Sequence, residues 1–418
     1  GVPIITQVID KDETDESLLY PKRNTTDESF TFIIKELKEA ADLLPVTYSG
    51  DNWGRITKGA ALAYCARIQL YRASPMFNPS NEKKYWEDAY DTYKDVIGLD
   101  VYDLHPTFSD IWKEKGENNK EIIWFKDYKK GTITHGWDAG NMMRSQAVGD
   151  ATANCPVQEL VDAFPMKDGT PYVKSNPETN PYDYRDPRLR ETVVWNGDTY
   201  GPRKEKVYPF VSESSDPNSP MYNFDGIDSH QSATSTGYYM RKMKDESLDG
   251  KKGDYGYGKG SYTQWVELRY AEVLLGLAEA ANEIGETEEG VEQIKLIRKR
   301  AGILPGENKR YGIPENISVD DFRTLVQNER YIELAFEDKR YWDLRRWKLA
   351  HLKLNNQLTA MEIRKKINGE EISYTYTRRV QRHDKTNKPV FLEKFYFLPL
   401  PKEELLRNPN LEQNEEWK

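Results

Sequence analysis

The sequence predicts a mainly α fold: helical hairpins at both ends of the chain, with a large loop-rich insertion containing short β pieces between them. Three observations carry this. Apolar residues recur at helical spacing over 28–97 and again over 262–350. Small residues (Ala60, Ala61, Ala63, Ala66, then Ala271, Ala278, Ala281) sit where two helices would need to come close. Residues 106–260 are instead dense in Gly, Pro, Asn, Asp, Ser and Tyr, the composition of turns. The expected division is 1–105, 106–260 and 261–418, packed as one compact fold.

The elements follow in order. A helix over 28–44 has Phe30, Ile33, Ile34, Leu37, Ala40 and Leu44 on one face. Thr25 and Glu28 form a capping box before it, and Pro45 stops it. The Ala-rich run after Thr57 predicts an inner helix to Ala73. A third helix spans 85–97, with Trp86, Ala89, Tyr93 and Val96 near one face. Later, a long helix is expected over 262–284, ended by Gly285 and followed by a second helix over 289–301. A small-residue helix, a Gly turn and an amphipathic partner resemble a tetratricopeptide unit, although no strict repeat period is visible. Residues 319–350 predict further helix, with a break at Asp338-Lys339. Short strands are expected at 121–125, 191–195 and 394–397. Such a long loop-rich stretch is usually functional when it is rich in aromatics.

Composition excludes several functions. Of 418 residues, 60 are Lys or Arg and 69 Asp or Glu, a formal charge of −9 with no basic block. Nucleic-acid binding needs clustered cations. No apolar run approaches the ~20 residues that span a bilayer. Cys65 and Cys155 make neither a disulfide framework nor a zinc site. The stretch 253–261 misses the phosphate-loop pattern, since Gly260 separates Lys259 from Ser261. No HExxH or GxSxG is present, and the five His are scattered. Asn223, Asp225 and Asp228 offer oxygen ligands around Gly226, a calcium turn or simply a solvated one, at spacing unlike an EF-hand. No metal, cofactor or catalytic residue is assigned.

The strongest motif is Asn328-Glu329-Arg330-Tyr331-Ile332-Glu333-Leu334-Ala335-Phe336-Glu337-Asp338-Lys339-Arg340-Tyr341-Trp342-Asp343-Leu344-Arg345-Arg346-Trp347. Its charges alternate with large apolar groups at i,i+3 and i,i+4 spacing, the pattern of a buried polar seam that fixes helix packing. This run resembles the C-terminal signature of the SusD/RagB family, the surface nutrient-binding lipoproteins of Bacteroidetes. Other segments agree in order: Arg55-Ile56-Thr57-Lys58-Gly59-Ala60-Ala61, Tyr71-Arg72-Ala73-Ser74-Pro75-Met76-Phe77-Asn78, Val161-Asp162-Ala163-Phe164, Arg185-Asp186-Pro187-Arg188, Leu268-Arg269-Tyr270-Ala271-Glu272-Val273-Leu274-Leu275 and Asn408-Pro409-Asn410-Leu411-Glu412-Gln413-Asn414.

The resemblance implies a tetratricopeptide-like scaffold carrying a variable insertion. It also implies a non-catalytic function: capture of an oligosaccharide, or of a peptide, for a SusC-like TonB-dependent porin at the outer membrane. The opening Gly1-Val2-Pro3-Ile4 looks like a point already inside the family's chain, so a lipid anchor is expected on a segment absent from this sequence. Rival expectations are a helical-repeat interaction scaffold without a small ligand, and a hydrolase. Aromatic residues are 12% of the chain, with 27 Tyr and 10 Trp. Such rings offer an apolar face to sugar C–H groups and a polar tip to hydroxyls. Within the insertion, Trp195, Tyr222, Tyr255 and Tyr257 are the expected platform because they sit among Gly, Asn and Asp, and Asn223 and Asp225 are expected to take hydroxyls. Trp53 and Trp137 are further candidates. Arg340, Trp342, Asp343 and Arg345 are expected to be structural.

Overall fold

Thr25 opens the first long helix, α1 (Thr26–Leu43), through the reciprocal pair the sequence predicts. Its Oγ1 accepts from the Glu28 N–H, and the Glu28 carboxylate accepts from the Thr25 N–H, so two orphan donors are satisfied together. The computed structural model describes the chain except residues 11, 13, 147–151, 174–175, 178, 231–232, 255–259 and 382–389.

Helix α2 (Lys58–Ala73) buries Ala60, Ala61, Ala63, Ala66 and Leu70, so it is an inner helix and its small residues are what permit close neighbours. Helix α3 (Lys83–Gly98) buries Trp86, Ala89, Tyr93 and Val96, the predicted face. Strand β1 (Ile122–Lys126) then leads into the insertion. On return, β2 (Trp265–Arg269) pairs antiparallel with β1, matching Lys126 to Trp265 and Ile122 to Arg269. Helix α4 (Tyr270–Ile284) follows directly. The sequence predicts one helix over 262–284, and the first part is instead this strand. Leu268 fits both periods, and a partner strand 140 residues away in sequence decides the choice.

Helices α1, α2, α3, α4 and α5 (Thr287–Ala301) pack each on the next, and α6 (Val319–Glu333) lies against α4 and α5. The scaffold therefore continues from α3 to α4 across the whole insertion. Gly276 makes that junction possible: a Cβ there would stand 2.2 Å from the Tyr93 ring. Gly285, at φ +93°, caps α4 as expected. The predicted break in the C-terminal helix falls at 334–339, where Phe336 and Asp338 take positive φ, and α7 (Arg340–Arg346) follows.

Two other expectations change. The strand predicted over 191–195 is reduced to Val193–Val194, because Asp186 caps a short helix, Pro187–Thr192, that runs into it. The strand predicted over 394–397 is a single 3-10 turn, Glu393–Tyr396, with Tyr396 buried. Unanticipated is a long hairpin, β3 (Thr359–Asn368) and β4 (Glu371–Val380), turned at Gly369 with φ +61°. Its register puts Met361 and Ile363 inward beside Tyr374 and Tyr376. The many Arg and Lys on it mask that alternation in the sequence. Among the described residues no helix is long and apolar enough to cross a membrane.

The signature run does form a buried polar seam. Arg188, from the insertion, reaches Asp186 at 2.7 Å, Glu329 at 2.7 Å and Glu333 at 2.8 Å, and all four side chains are fully buried. Arg269 binds Glu121 at 2.6 Å, Glu333 at 2.8 Å and Glu337 at 2.8 Å. Lys242, another insertion residue, reaches Glu337 at 2.6 Å, and burial draws its ammonium down to about 8. The insertion is thus tied to the scaffold through charge pairs that solvent cannot screen. Asp343 lies between Arg330 (2.9 Å) and Arg346 (2.8 Å). Arg340 stacks 4.0 Å over Tyr331. Trp342 is 44% exposed, its ring edge-on to Tyr341 with Arg345 over it.

Candidate functional site: an aromatic cleft beside the first strand

After α1 stops, the chain must cross to α2, and it does so through a closed loop. The Lys58 N–H donates to the Pro45 carbonyl at 2.9 Å, so residues 45–58 form a bounded excursion. The Gly50 N–H donates to Glu117 Oε1 at 3.0 Å and pins that excursion to a facing loop. Between these loops, the turn after α3 and β1 lies a cleft of ≈ 380 Å³. That is within the range of about 300–1,000 Å³ usual for small-ligand sites.

Aromatic rings line it. Trp53 is half-buried, with its ring 4.9 Å from Phe125 and inclined 38°. Tyr102 stacks on Tyr270 at 6.4 Å and shares a 3.2 Å hydrogen bond with the Thr57 hydroxyl. Burial pushes the Tyr102 phenol up. Tyr48 completes the aromatic lining. In the wall, Gln264 is 2% exposed. Its Nε2 donates to Asp127 Oδ1 at 3.4 Å, while its Oε1 is buried with no partner. Arg55, Asp100 and Lys120 also line the cleft, and none of the three forms an ion pair among the described residues. The lining contains no His and no Cys. A flat ligand with one C–H face and peripheral hydroxyls fits this inventory.

The residues singled out in the insertion have different surroundings. Trp195 is half-buried and stacks on Tyr182 at 5.1 Å and 19°. Tyr222 is half-buried in the loop that also holds Asn223 and Asp225. Asn223 is engaged inside that loop: its Nδ2 donates to the carbonyls of Tyr208 and Phe210, and its Oδ1 accepts from the Asp225 N–H at 3.2 Å. Asp225 Oδ1 accepts from the Ser145 N–H at 2.8 Å. Burial raises its carboxyl above the usual range, against the lowering effect of that bond. Asp228 pairs with Arg379. Among the described residues no group of three or more His, Cys, Asp or Glu is placed to hold a metal ion. Tyr255 and Tyr257 lie outside the described residues. Trp137 packs edge-on to Trp265 at 5.5 Å in an apolar cluster.

Of the described candidates, then, Trp53 is the one in the cleft. The sequence signal for it was similar to that for Trp195, a Trp beside Asn and Gly in a loop-like stretch. Phe125, Tyr102 and Gln264 carried no local signal, because three separate segments bring them together.

A model of the SusD family matches residues 120–417. SusD-like protein P2 of Formosa agariphila is 27% identical over 395 residues, covering 93% of this chain and 64% of that protein. SusD-like protein P25 of the same organism is 22% identical over 78% of this chain and 56% of its own length. The chain therefore spans less than two thirds of these curated relatives. Among solved structures, a SusD-like protein from Bacteroides fragilis is 26% identical with a TM-score of 0.72, covering 99% of this chain and 75% of that one. A SusD-like carbohydrate binding protein from the same species shares the fold at 24% identity and a TM-score of 0.75, covering 98% and 75%. With the helical scaffold, the buried signature seam and a family match over most of its length, the chain belongs to the SusD family.

Proposed function

We propose that this protein captures an oligosaccharide in the Trp53 cleft, at the cell surface, and delivers it to a SusC-like TonB-dependent porin in the outer membrane. One observation carries the choice of site: an open aromatic pair, Trp53 and Phe125, lines a cleft of ≈ 380 Å³ together with Arg55, Asp100 and Lys120. Pyranose rings bring C–H faces and hydroxyls together, which is what such a site accepts. The carbohydrate binding named for the Bacteroides fragilis relative supports the ligand class. In this proposal the protein binds without cleaving, and membrane attachment is through a lipid on a segment outside this chain. Trp195 and Tyr222 are proposed as outer contacts for a long ligand, secondary to the cleft.

The test is intrinsic tryptophan fluorescence, titrated with plant, host and microbial glycans and with mixed peptides. Saturation by a glycan class, lost in Trp53→Ala and kept in Trp195→Ala, is the expected result. Saturation surviving Trp53→Ala overturns the site. Saturation by peptides alone overturns the ligand class.

A further inference from the structure

We infer that the glycan this protein captures is anionic, its carboxylate or sulfate groups meeting a lysine cluster that continues the Trp53 cleft beyond β1. The inference rests on glycan capture at that cleft.

The chain itself makes the connection. Phe125 lines the cleft, and the next residues are Lys126, Asp127, Tyr128, Lys129 and Lys130. From the cleft wall, Gln264 contacts Asp127, and Asp127 pairs with Lys115 at 2.8 Å. The ammonium groups of Lys115 and Lys130 each lie 5.6 Å from the Tyr262 ring, and that of Lys126 lies 5.3 Å from Tyr128. Reciprocal backbone bonds between Lys129 and Ile133, at 2.8 and 2.9 Å, close a tight turn with Lys129 at its base and Lys130 in its loop.

These cations are available. Lys126, Lys129 and Lys130 are exposed, and among the described residues no carboxylate pairs with them. Arg55 and Lys120 add two unpaired cations within the cleft. Against them stand Asp100, Glu117 (already accepting from Gly50) and Asp127 (already neutralised by Lys115). This stripe is positive on a chain whose formal charge is −9. Aromatic rings beside the lysines also suit a sugar chain, since each saccharide unit offers a C–H face between its charged substituents. A repeating acidic polymer meets several lysines at once, and although each contact is weak and screened, the contacts act together.

Affinity electrophoresis of the intact chain against amylopectin, arabinoxylan, polygalacturonate and κ-carrageenan tests this. One or both acidic polymers should bind in preference to the neutral pair, and which of them binds identifies carboxylate or sulfate as the group recognised. The triple variant Lys126→Gln, Lys129→Gln, Lys130→Gln should weaken that binding by about tenfold, an effect that rising salt reproduces in the unaltered protein. Circular dichroism should show the variant folded, since none of these side chains holds another part of the chain. Preference for a neutral polymer, an unchanged affinity in the triple variant, or no binding to either acidic polymer overturns the inference. Neutral binding that Trp53→Ala abolishes leaves cleft capture standing without the charge selectivity. Binding indifferent to Trp53→Ala removes the cleft itself.

Discussion

The Trp53 cleft and the insertion around Trp195 have similar compositions and opposite uses of their rings. In the insertion, Tyr182 covers one face of Trp195, Tyr208 lies flat on Tyr374 at 5.8 Å, and Tyr200, Tyr238 and Tyr239 are almost fully buried. The Asn223 amide and the Asp225 carboxylate are bonded to the chain's own backbone. In the cleft, Trp53 meets Phe125 at a tilt, leaving space in front of both, and the wall keeps an unpaired acceptor. Aromatic and polar residues in the one region satisfy each other, whereas in the other they are left for something else. An aromatic-rich segment is therefore a binding surface only where its rings have not already found partners.

The comparison can be broken first at the seam that anchors the insertion. Arg188→Met removes the cation shared by Asp186, Glu329 and Glu333; Glu329 keeps Arg298 and Glu333 keeps Arg269 and Arg300, but the buried Asp186 is left without a cation, at a cost of about 3 kcal/mol. Urea unfolding should show that loss; an unchanged midpoint would mean the insertion is held by other means. Acid attacks the same seam. Burial would raise the Glu333 carboxyl, but Arg300, Arg269 and Arg188 outweigh it and hold the group far below its ordinary value; Glu329, Glu337 and Asp343 are lowered in the same way. Because the folded values lie below the unfolded ones, this stabilisation is complete above about pH 4.5 and is lost as pH falls further. The urea midpoint should fall between pH 7 and pH 3.5, and less steeply in Arg188→Met.

Smaller effects sharpen the contrast. Asn223→Ala should cost about 1–3 kcal/mol by leaving the Tyr208 and Phe210 carbonyls without their donor, while glycan affinity stays unchanged. A lost affinity at unchanged stability would return Asn223 to the ligand. Trp53→Ala should do the reverse, abolishing saturable glycan binding with little change in melting temperature. Smallest of all, Trp195→Ala should change affinity by less than about twofold, while costing some stability through the loss of its stack on Tyr182.

By itself the sequence determined the helices, their caps and their packing faces. Thr25 and Glu28, the Ala stripe of α2 and Gly285 act over a few neighbouring residues, so local spacing reveals them. It also determined the polar seam, because Glu329, Glu333 and Arg330 repeat at helical intervals and charges so placed among large apolar groups must pair when buried. Tertiary structure alone decided that 265–269 is a strand, since its hydrogen bonds go to 122–126 rather than to its own next turn. It decided the β3–β4 hairpin, whose inward face contacts the distant Tyr208 and Phe210. It also decided the site. Whether a Trp ring is covered depends on which other ring arrives beside it, and Trp53, Phe125 and Gln264 meet only when the α1–α2 loop and the β1–β2 pair close on one another.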